Sequence, residues 1–331
     1  MAKIARILAI DGGGIRGIIP ALVMAEIEKR TGRRISALFD LIAGTSTGGV
    51  LALGITKPGP DGEPQYRAED GVGFYVEEGP KIFSRSVWHR LRSAGSVLDE
   101  RYPAQAVEDA LDRYFGEARL KEALTDVLIT SYEIERRIPW FFRSRRARQR
   151  PDYDFPMKQV VRATSAAPTY FEPCRIEADG AAEYYALIDG GVFANNPAMC
   201  AYVDALSQDD TPPTEVLVVS LGTGQLTRPY YYDQARNWGL LGWAQPVVNI
   251  LMHGVNETVH YQMQQVLRAA PGGRQRYYRF QVRLDEGNDD MDDAGRTNLR
   301  VLKLLAEELI HQRSGDLDAL CADLLRLSDA G

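Results

Sequence analysis

The chain has 331 residues, of which 45% are hydrophobic and 25% charged, a composition typical of folded globular proteins rather than disordered, collagen-like or coiled-coil chains. Its 39 Lys and Arg against 45 Asp and Glu leave a net charge of −6, which argues against a nucleic-acid polymer as partner. Three widely spaced cysteines argue against a disulfide framework or a structural zinc site. The N-terminal apolar run is too short for a signal peptide, and no run approaches the ~20 residues of a membrane span. We therefore expect a cytoplasmic protein with at most transient membrane contact.

The first fifty or so residues alternate between strand and helix patterns. A short buried strand over 7–10 runs into a glycine-rich turn, and a helix with apolar spacing follows over 15–31. A second strand over 39–43, a sharp turn at 44–49 and an apolar helix over 50–55 come next. This order predicts an α/β fold that begins with parallel strands, in which both glycine-rich turns lie at one edge of the sheet.

The rest of the chain shows no repeat and no linker long enough to demand a second domain. We expect one catalytic domain over 1–331, with the motifs in about 5–225 and a helical C-terminal part over about 226–331. The predicted segments are a loop over 57–73, a helix over 104–115, strands over 127–134 and 140–143, a basic loop over 143–150, a helix over 158–167, strands over 184–188 and 216–221, and helices over 299–310 and 317–327.

Ser46 is the centre of a G-x-S-x-G motif over 44–48 that lies between an apolar strand and an apolar helix. In that context the serine occupies a sharp, strained turn, and the N-terminus of the following helix favours negative charge. The motif predicts Ser46 as a nucleophile. A glycine-rich turn with an incidental serine is the alternative that the residues alone leave open.

The segment 11–17, Asp-Gly-Gly-Gly-Ile-Arg-Gly, also follows a strand and opens a helix. Gly12, Gly14 and Gly17 match the spacing of a dinucleotide-binding fingerprint, which requires an acidic residue at the end of the second strand. That position carries the serine turn instead. The other use is a cradle of backbone N–H groups for an oxyanion, with Arg16 adding positive charge.

A nucleophilic serine needs a proton acceptor, and Asp189 is the strongest candidate. It ends a predicted strand and is followed by two glycines that clear space around the carboxylate. The order Ser…Asp…His of α/β-hydrolases can be completed with His253 or His260, but the serine turn of that fold usually follows several strands, not two. We expect none of the histidines to take part: His89, His253, His260 and His311.

Two further segments are candidates for membrane contact. The apolar, aromatic segment 238–251 could be a lid or an interfacial surface, although core packing is the more ordinary interpretation. The arginine-rich run 143–150 could meet anionic head groups, although a solvated loop is the more ordinary interpretation.

Three motifs, over 11–17, 44–48 and 189–191, resemble in order those of the patatin-like phospholipase family, and segments 164–171 and 220–224 also match. The resemblance covers about residues 5–225. It implies a three-layer α/β/α sandwich with a mostly parallel central sheet and a Ser–Asp dyad without histidine. It further implies no metal or cofactor, Ser46 as nucleophile, Asp189 as proton acceptor, and an oxyanion hole of Gly12, Gly13 and Gly14 with Arg16 nearby.

Ester hydrolysis follows from the residues, and the lipid substrate follows from the resemblance. We expect a phospholipase A-type acyl hydrolase that cleaves fatty-acyl esters of membrane phospholipids or galactolipids through an acyl-enzyme. A carboxylesterase for soluble esters is the alternative among enzymes, and a dinucleotide-binding module is the alternative outside them. Some bacterial proteins of this kind are anti-phage effectors switched on by a cyclic oligonucleotide, so the resemblance adds a small-molecule activator as an expectation.

Overall fold

The computed structural model describes residues 4–83, 105–177, 183–207, 212–269, 273–285 and 290–329. In these ranges the strands form one mixed sheet in the order β5-β6-β3-β2-β1-β7-β8, with β4 paired to β3 off that path. The strands are β1 (Ile4–Ile10), β2 (Leu41–Thr45), β3 (Asp126–Glu133), β4 (Ile138–Arg143), β5 (Cys174–Glu177), β6 (Tyr184–Asp189), β7 (Glu215–Leu221) and β8 (Tyr277–Phe280).

Helices cover both faces of this sheet, which confirms the expected α/β class and its flanked central sheet. Short 3₁₀ turns lie at Gly14–Gly17, Leu120–Glu122 and Pro151–Tyr153. The α-helices are Ile18–Thr31, Ile35–Leu38, Thr47–Thr56, Ala68–Glu77, Gly79–Ile82, Gln105–Phe115, Ser144–Gln149, Met157–Thr164, Gly191–Ala194, Ala198–Leu206, Tyr232–Ala235, Leu240–Val266, Arg296–Gln312 and Ser314–Asp329.

The central strand β1 shows why the fold has three layers. Its side chains alternate between faces. Leu8 and Ile10 are buried in the cluster that contains the Ile18–Thr31 helix. Ile7 and Ala9 are buried on the other face. An apolar run with both faces covered is typical of a parallel strand inside an α/β protein.

The carboxyl ends of three parallel strands meet at one edge of the sheet. Ile10 at the end of β1 lies beside Gly44 of β2 on one side and Leu221 of β7 on the other. The turns after these three strands are therefore neighbours, as predicted for the two glycine-rich turns.

Several element boundaries differ from those predicted. The second strand runs over 41–45, and the predicted loop over 57–73 ends at Arg67, the N-cap of a helix that begins at Ala68. The Arg67 N–H donates to the Asp70 carboxylate at 2.7 Å, a helix-capping bond that the loop-like composition concealed. The C-terminal part, predicted to be helical, also contributes strand β8.

The arginine-rich run is not a solvated loop. Its first residue ends β4 and the next six form a helix. Arg145 and Arg148 both pair with Asp126, at 3.1 and 2.5 Å, and Arg143 pairs with Asp204 at 2.9 Å. Since Asp126 begins β3, the run neutralises carboxylates at the sheet edge opposite the glycine-rich turns.

The C-terminal helices belong to the same apolar core as the N-terminal helices. Leu302 and Leu317 are fully buried in the cluster that contains Ile27 of the Ile18–Thr31 helix. Within the described ranges, no helix combines the length and the apolar character needed to cross a membrane.

Candidate active site

Ser46 occupies the sharp turn between β2 and the Thr47–Thr56 helix, the strand–turn–helix context predicted from the motif. Its backbone has φ 53° and ψ −121°, a strained conformation for a residue with a side chain. The Ser46 N–H donates to Thr164 Oγ1 at 2.8 Å, and that hydroxyl donates to the Thr130 carbonyl at 2.6 Å. A Cβ on Gly48 would lie 2.1 Å from the Ile10 carbonyl oxygen, so the turn requires glycine there.

Strand β3 brings the candidate proton acceptor, Asp189, close to Ser46. Thr45, at the end of β2, lies beside Thr130 of β3. Asp189, the last residue of β6, lies beside Ser131, the next residue of the same strand. Ser46 and Asp189 consequently line one pocket.

The Asp189 carboxyl is buried, and its pKa is raised. Burial raises its pKa to about 7, against opposing effects of the nearby Ser46 hydroxyl and of the Gly191 N–H. That N–H donates to Asp189 Oδ1 at 2.7 Å. The second oxygen, Oδ2, accepts no hydrogen bond of normal geometry from the described residues. A carboxyl with a pKa near neutrality can take a proton from a hydroxyl and return it.

The glycine-rich turn lies against Ser46. A Cβ on Gly12 would lie 3.3 Å from the Cβ of Ser46. The Gly12 N–H, however, donates to the Asn195 carbonyl at 3.0 Å. This bond corrects the expected oxyanion hole, because the Gly12 N–H is already used within the fold. The N–H groups of Gly13 and Gly14 are the remaining candidates for that hole.

Hydrogen bonds from two side chains fix the orientation of the Gly12 carbonyl group in this turn. The Gly12 carbonyl accepts hydrogen bonds from Thr223 Oγ1 at 2.7 Å and from Asn195 Nδ2 at 3.2 Å. A trans peptide is planar, so its N–H points away from its carbonyl. Fixing the Gly12 carbonyl therefore fixes the direction of the Gly13 N–H.

Arg16 acts on the following peptide in the same way. Its Nε donates to the Gly13 carbonyl at 3.2 Å, and its own backbone N–H donates to the same oxygen at 3.2 Å. This orients the N–H of Gly14, which has φ +58° and lines the pocket with Ser46. In the part of the chain that the structure describes, the N–H groups of Gly13 and Gly14 donate to no protein acceptor.

Asp11 anchors the start of the turn through a buried ion pair. Its carboxylate accepts two hydrogen bonds from Arg279, at 2.6 and 2.9 Å, and Arg279 also donates to Ser220 Oγ at 2.8 Å. Burial raises the pKa of Asp11, and Arg279 only partly offsets that effect. The two residues of this pair are 268 positions apart in the sequence. No local motif could therefore predict the pair.

None of the three histidines that the structure describes lines the pocket with Ser46 and Asp189. His260 Nδ1 is 3.0 Å from the Tyr277 hydroxyl, and His311 is exposed on a C-terminal helix. His253 belongs to the Leu240–Val266 helix, and His89 lies outside the described residues. No histidine is among the described residues that line the pocket.

The pocket over Ser46 is mainly apolar. Its lining includes Val50 of the Thr47–Thr56 helix and Met252 of the Leu240–Val266 helix. The remaining apolar lining residues include Phe74, Ile82, Phe83, Leu111, Val161, Phe171 and Met291. A hydrocarbon chain is the group that such a lining accommodates best.

Comparisons with known proteins identify the family of this chain. Residues 8–202 match the family model described as patatin-like phospholipase. The chain is 33% identical to Patatin-like protein 4 of Arabidopsis thaliana, over 92% of this chain and 82% of that protein. It is 32% identical to Patatin-04/09 of Solanum tuberosum, over 94% of this chain and 84% of that protein. The chain therefore belongs to the patatin-like phospholipase family.

Proposed function

We propose that this protein is a lipid acyl hydrolase that cleaves fatty-acyl ester bonds of membrane lipids with Ser46 and Asp189 as its catalytic dyad. Family membership supports lipid acyl hydrolysis in general. The observation that carries the dyad is that a strained serine and a buried aspartate with a pKa of about 7 line one apolar pocket. That combination supplies a nucleophile and its base.

In the first half of the reaction, Asp189 accepts the hydroxyl proton while Ser46 Oγ bonds to the ester carbonyl carbon. The carbonyl oxygen becomes an oxyanion, and the N–H groups of Gly13 and Gly14 donate to it. Each such donor contributes roughly 10²–10³ in rate. When the intermediate collapses, the ester C–O bond breaks and Asp189 gives its proton to the leaving alcohol, which leaves an acyl-enzyme.

In the second half, a water molecule attacks the acyl carbon and loses a proton to Asp189. The new intermediate forms in the same oxyanion hole and collapses with release of the fatty acid. Asp189 then returns the proton to Ser46 Oγ, which restores the free enzyme. Proton transfer therefore needs no group besides the dyad.

The apolar lining favours a fatty-acyl substrate over the small soluble esters of a carboxylesterase. Phe74, Leu111 and Val161 surround the space next to Ser46 with hydrocarbon, which a short acyl group would leave partly unfilled. We propose membrane phospholipid or galactolipid as the substrate, bound during transient contact with a membrane. A small-molecule activator remains a prediction of the resemblance alone.

The test combines covalent labelling with hydrolysis. A fluorophosphonate should label Ser46, as mapped by peptide mass spectrometry, and phospholipid and galactolipid vesicles should release fatty acid. Ser46→Ala should abolish labelling and release while circular dichroism stays unchanged; Ser165→Ala, which alters another serine of the pocket, is the matched control. Labelling of Ser165, or equal turnover of butyryl and palmitoyl esters, would contradict the proposal.

A further inference from the structure

The Leu240–Val266 helix, called the long helix below, packs against the candidate active site. Met252 lines the pocket, and its Cε would lie 3.0 Å from a Cβ on Gly191, two residues after Asp189. One turn further along, Asn256 Oδ1 accepts a 3.1 Å hydrogen bond from Asn195 Nδ2. The inward face of this helix thus contacts the turn after Asp189 and, through Asn195, is linked to the glycine-rich turn.

The opposite face of its first half is apolar and uncovered by the described residues. At 100° per residue, the exposed positions fall on one side of the helix, well away from Met252. Exposed fractions run from 40% at Val247 to 94% at Leu240. The members, which we call the apolar stripe, are Leu240, Trp243, Val247, Ile250 and Leu251. Single exposed apolar residues are ordinary, but a contiguous group marks an interaction surface.

Aromatic side chains continue the apolar stripe. Trp238 packs edge-to-face against Tyr230, with ring centroids 5.4 Å apart, and against Trp243, with centroids 5.0 Å apart. Tyr231 and Tyr232 are exposed beside them in sequence. Tyr and Trp have an apolar body and a polar end, and they are enriched where hydrocarbon meets water at a membrane surface.

The segment that carries the apolar stripe contains no charged residue. Residues 237–256 contain no Asp, Glu, Lys or Arg. Beyond them the side that carried apolar residues presents Thr258, Gln262 and Gln265, together with Tyr261, which is 64% exposed. On that side of the helix, the exposed aliphatic side chains therefore lie in the half beside the pocket.

We propose that the apolar stripe and its aromatic neighbours are the surface on which this protein rests against a lipid bilayer. The inference rests on the proposed function, because an acyl chain that moves from a bilayer to Ser46 needs an apolar path. The long helix would contact the bilayer with its outward face, and it lines the Ser46 pocket with Met252 on its inward face. With no cation in 237–256 and a net charge of −6, attachment comes from apolar insertion, so neutral lipid suffices.

The test measures vesicle binding separately from catalysis. In a Ser46→Ala background, flotation with phosphatidylcholine vesicles should show binding that Leu240→Asp combined with Ile250→Asp weakens by roughly 10²-fold, from the transfer energy of two large side chains. In the active protein, the same pair of changes should reduce vesicle hydrolysis and leave turnover of a short-chain soluble ester unchanged. The matched control is Val203→Asp with Leu304→Asp, at positions 55% and 54% exposed elsewhere.

Three results would overturn this inference. One is unchanged flotation of the Leu240→Asp, Ile250→Asp protein. Another is binding only to anionic vesicles that salt abolishes, which would assign attachment to cationic side chains. The last is a dimer in sedimentation analysis that these two changes dissociate, which would make a second copy the occupant. Loss of short-chain turnover in Ser46→Ala tests the proposed function alone, so the two proposals can fail independently.

Discussion

Thr223 Oγ1 donates a 2.7 Å hydrogen bond to the Gly12 carbonyl oxygen, and this bond fixes the direction of the Gly13 N–H. We predict that Thr223→Val, which keeps the shape but removes the donor, lowers kcat by roughly 10- to 100-fold with a much smaller change in KM. The reason is that an oxyanion-hole donor acts on the transition state more than on the bound substrate. Steady-state kinetics on a soluble ester measure both constants.

Thr223→Ser retains the hydroxyl and is the matched control, which should keep most of the activity. Gly13→Ala is a less specific test, because its Cβ would lie 2.3 Å from Thr223 Oγ1 and displace that side chain. Equal kcat values for Thr223→Val and Thr223→Ser would remove this hydrogen bond from the mechanism.

Asp189 is predicted to be the only side-chain base. Asp189→Asn keeps the volume and can still accept the Gly191 N–H, but it cannot take a proton, so activity should fall by at least ~10²-fold. Replacement of His253 or His260 by Gln should leave most activity, because neither lines the pocket. Turnover assays on the three proteins decide the matter, and a histidine variant as inactive as Asp189→Asn would replace the dyad by a triad.

The pH dependence of kcat/KM follows from the Asp189 pKa of about 7. The carboxyl must be ionised to accept a proton, so kcat/KM should rise with pH through about 7 and fall about tenfold per unit below that value. A profile that stays flat from pH 5 to 8 would show that the carboxyl titrates at its ordinary value.

Stability should change with pH in the opposite direction. Between the ordinary value of 3.8 and about 7, folded Asp189 holds a proton that the unfolded chain has lost, so the free energy of unfolding decreases as pH rises through this window. A shift of about three units corresponds to at most about 4 kcal/mol. Asp189→Asn should therefore be more stable than wild type at pH 8 and equally stable at pH 4. Urea unfolding at both values checks the sign.

The Asp11–Arg279 pair should be structurally important although neither residue reacts. Asp11→Asn leaves a buried guanidinium without its counter-charge, and we expect the free energy of unfolding to fall by about 3–5 kcal/mol. Adding Arg279→Gln should recover part of that loss. Glu177→Gln, which breaks an exposed pair with Arg175, should cost less than about 1 kcal/mol in the same urea titration.

The sequence by itself determined the class of fold and indicated the candidate site residues. Ser46, Asp189 and the glycine-rich turn could be identified locally, because a strained turn between a strand and a helix needs small residues whatever surrounds it. The apolar run of β1 similarly predicts a strand covered on both faces. These signals arise from neighbouring residues along the chain and are therefore readable in the sequence.

Only the tertiary structure decided which groups are available to react. The Gly12 N–H is used by Asn195, and the Gly13 and Gly14 N–H groups take their direction from Thr223 and Arg16. Segment 238–251 has an apolar composition that fits a core or a surface equally well, and its burial depends on which elements pack against it. Apart from the local contact between Arg16 and Gly13, these hydrogen bonds join residues 183 and 211 positions apart. Contacts over such separations leave no periodicity in the sequence, so the sequence indicated the candidate site but the fold determined its available donors and its exposed face.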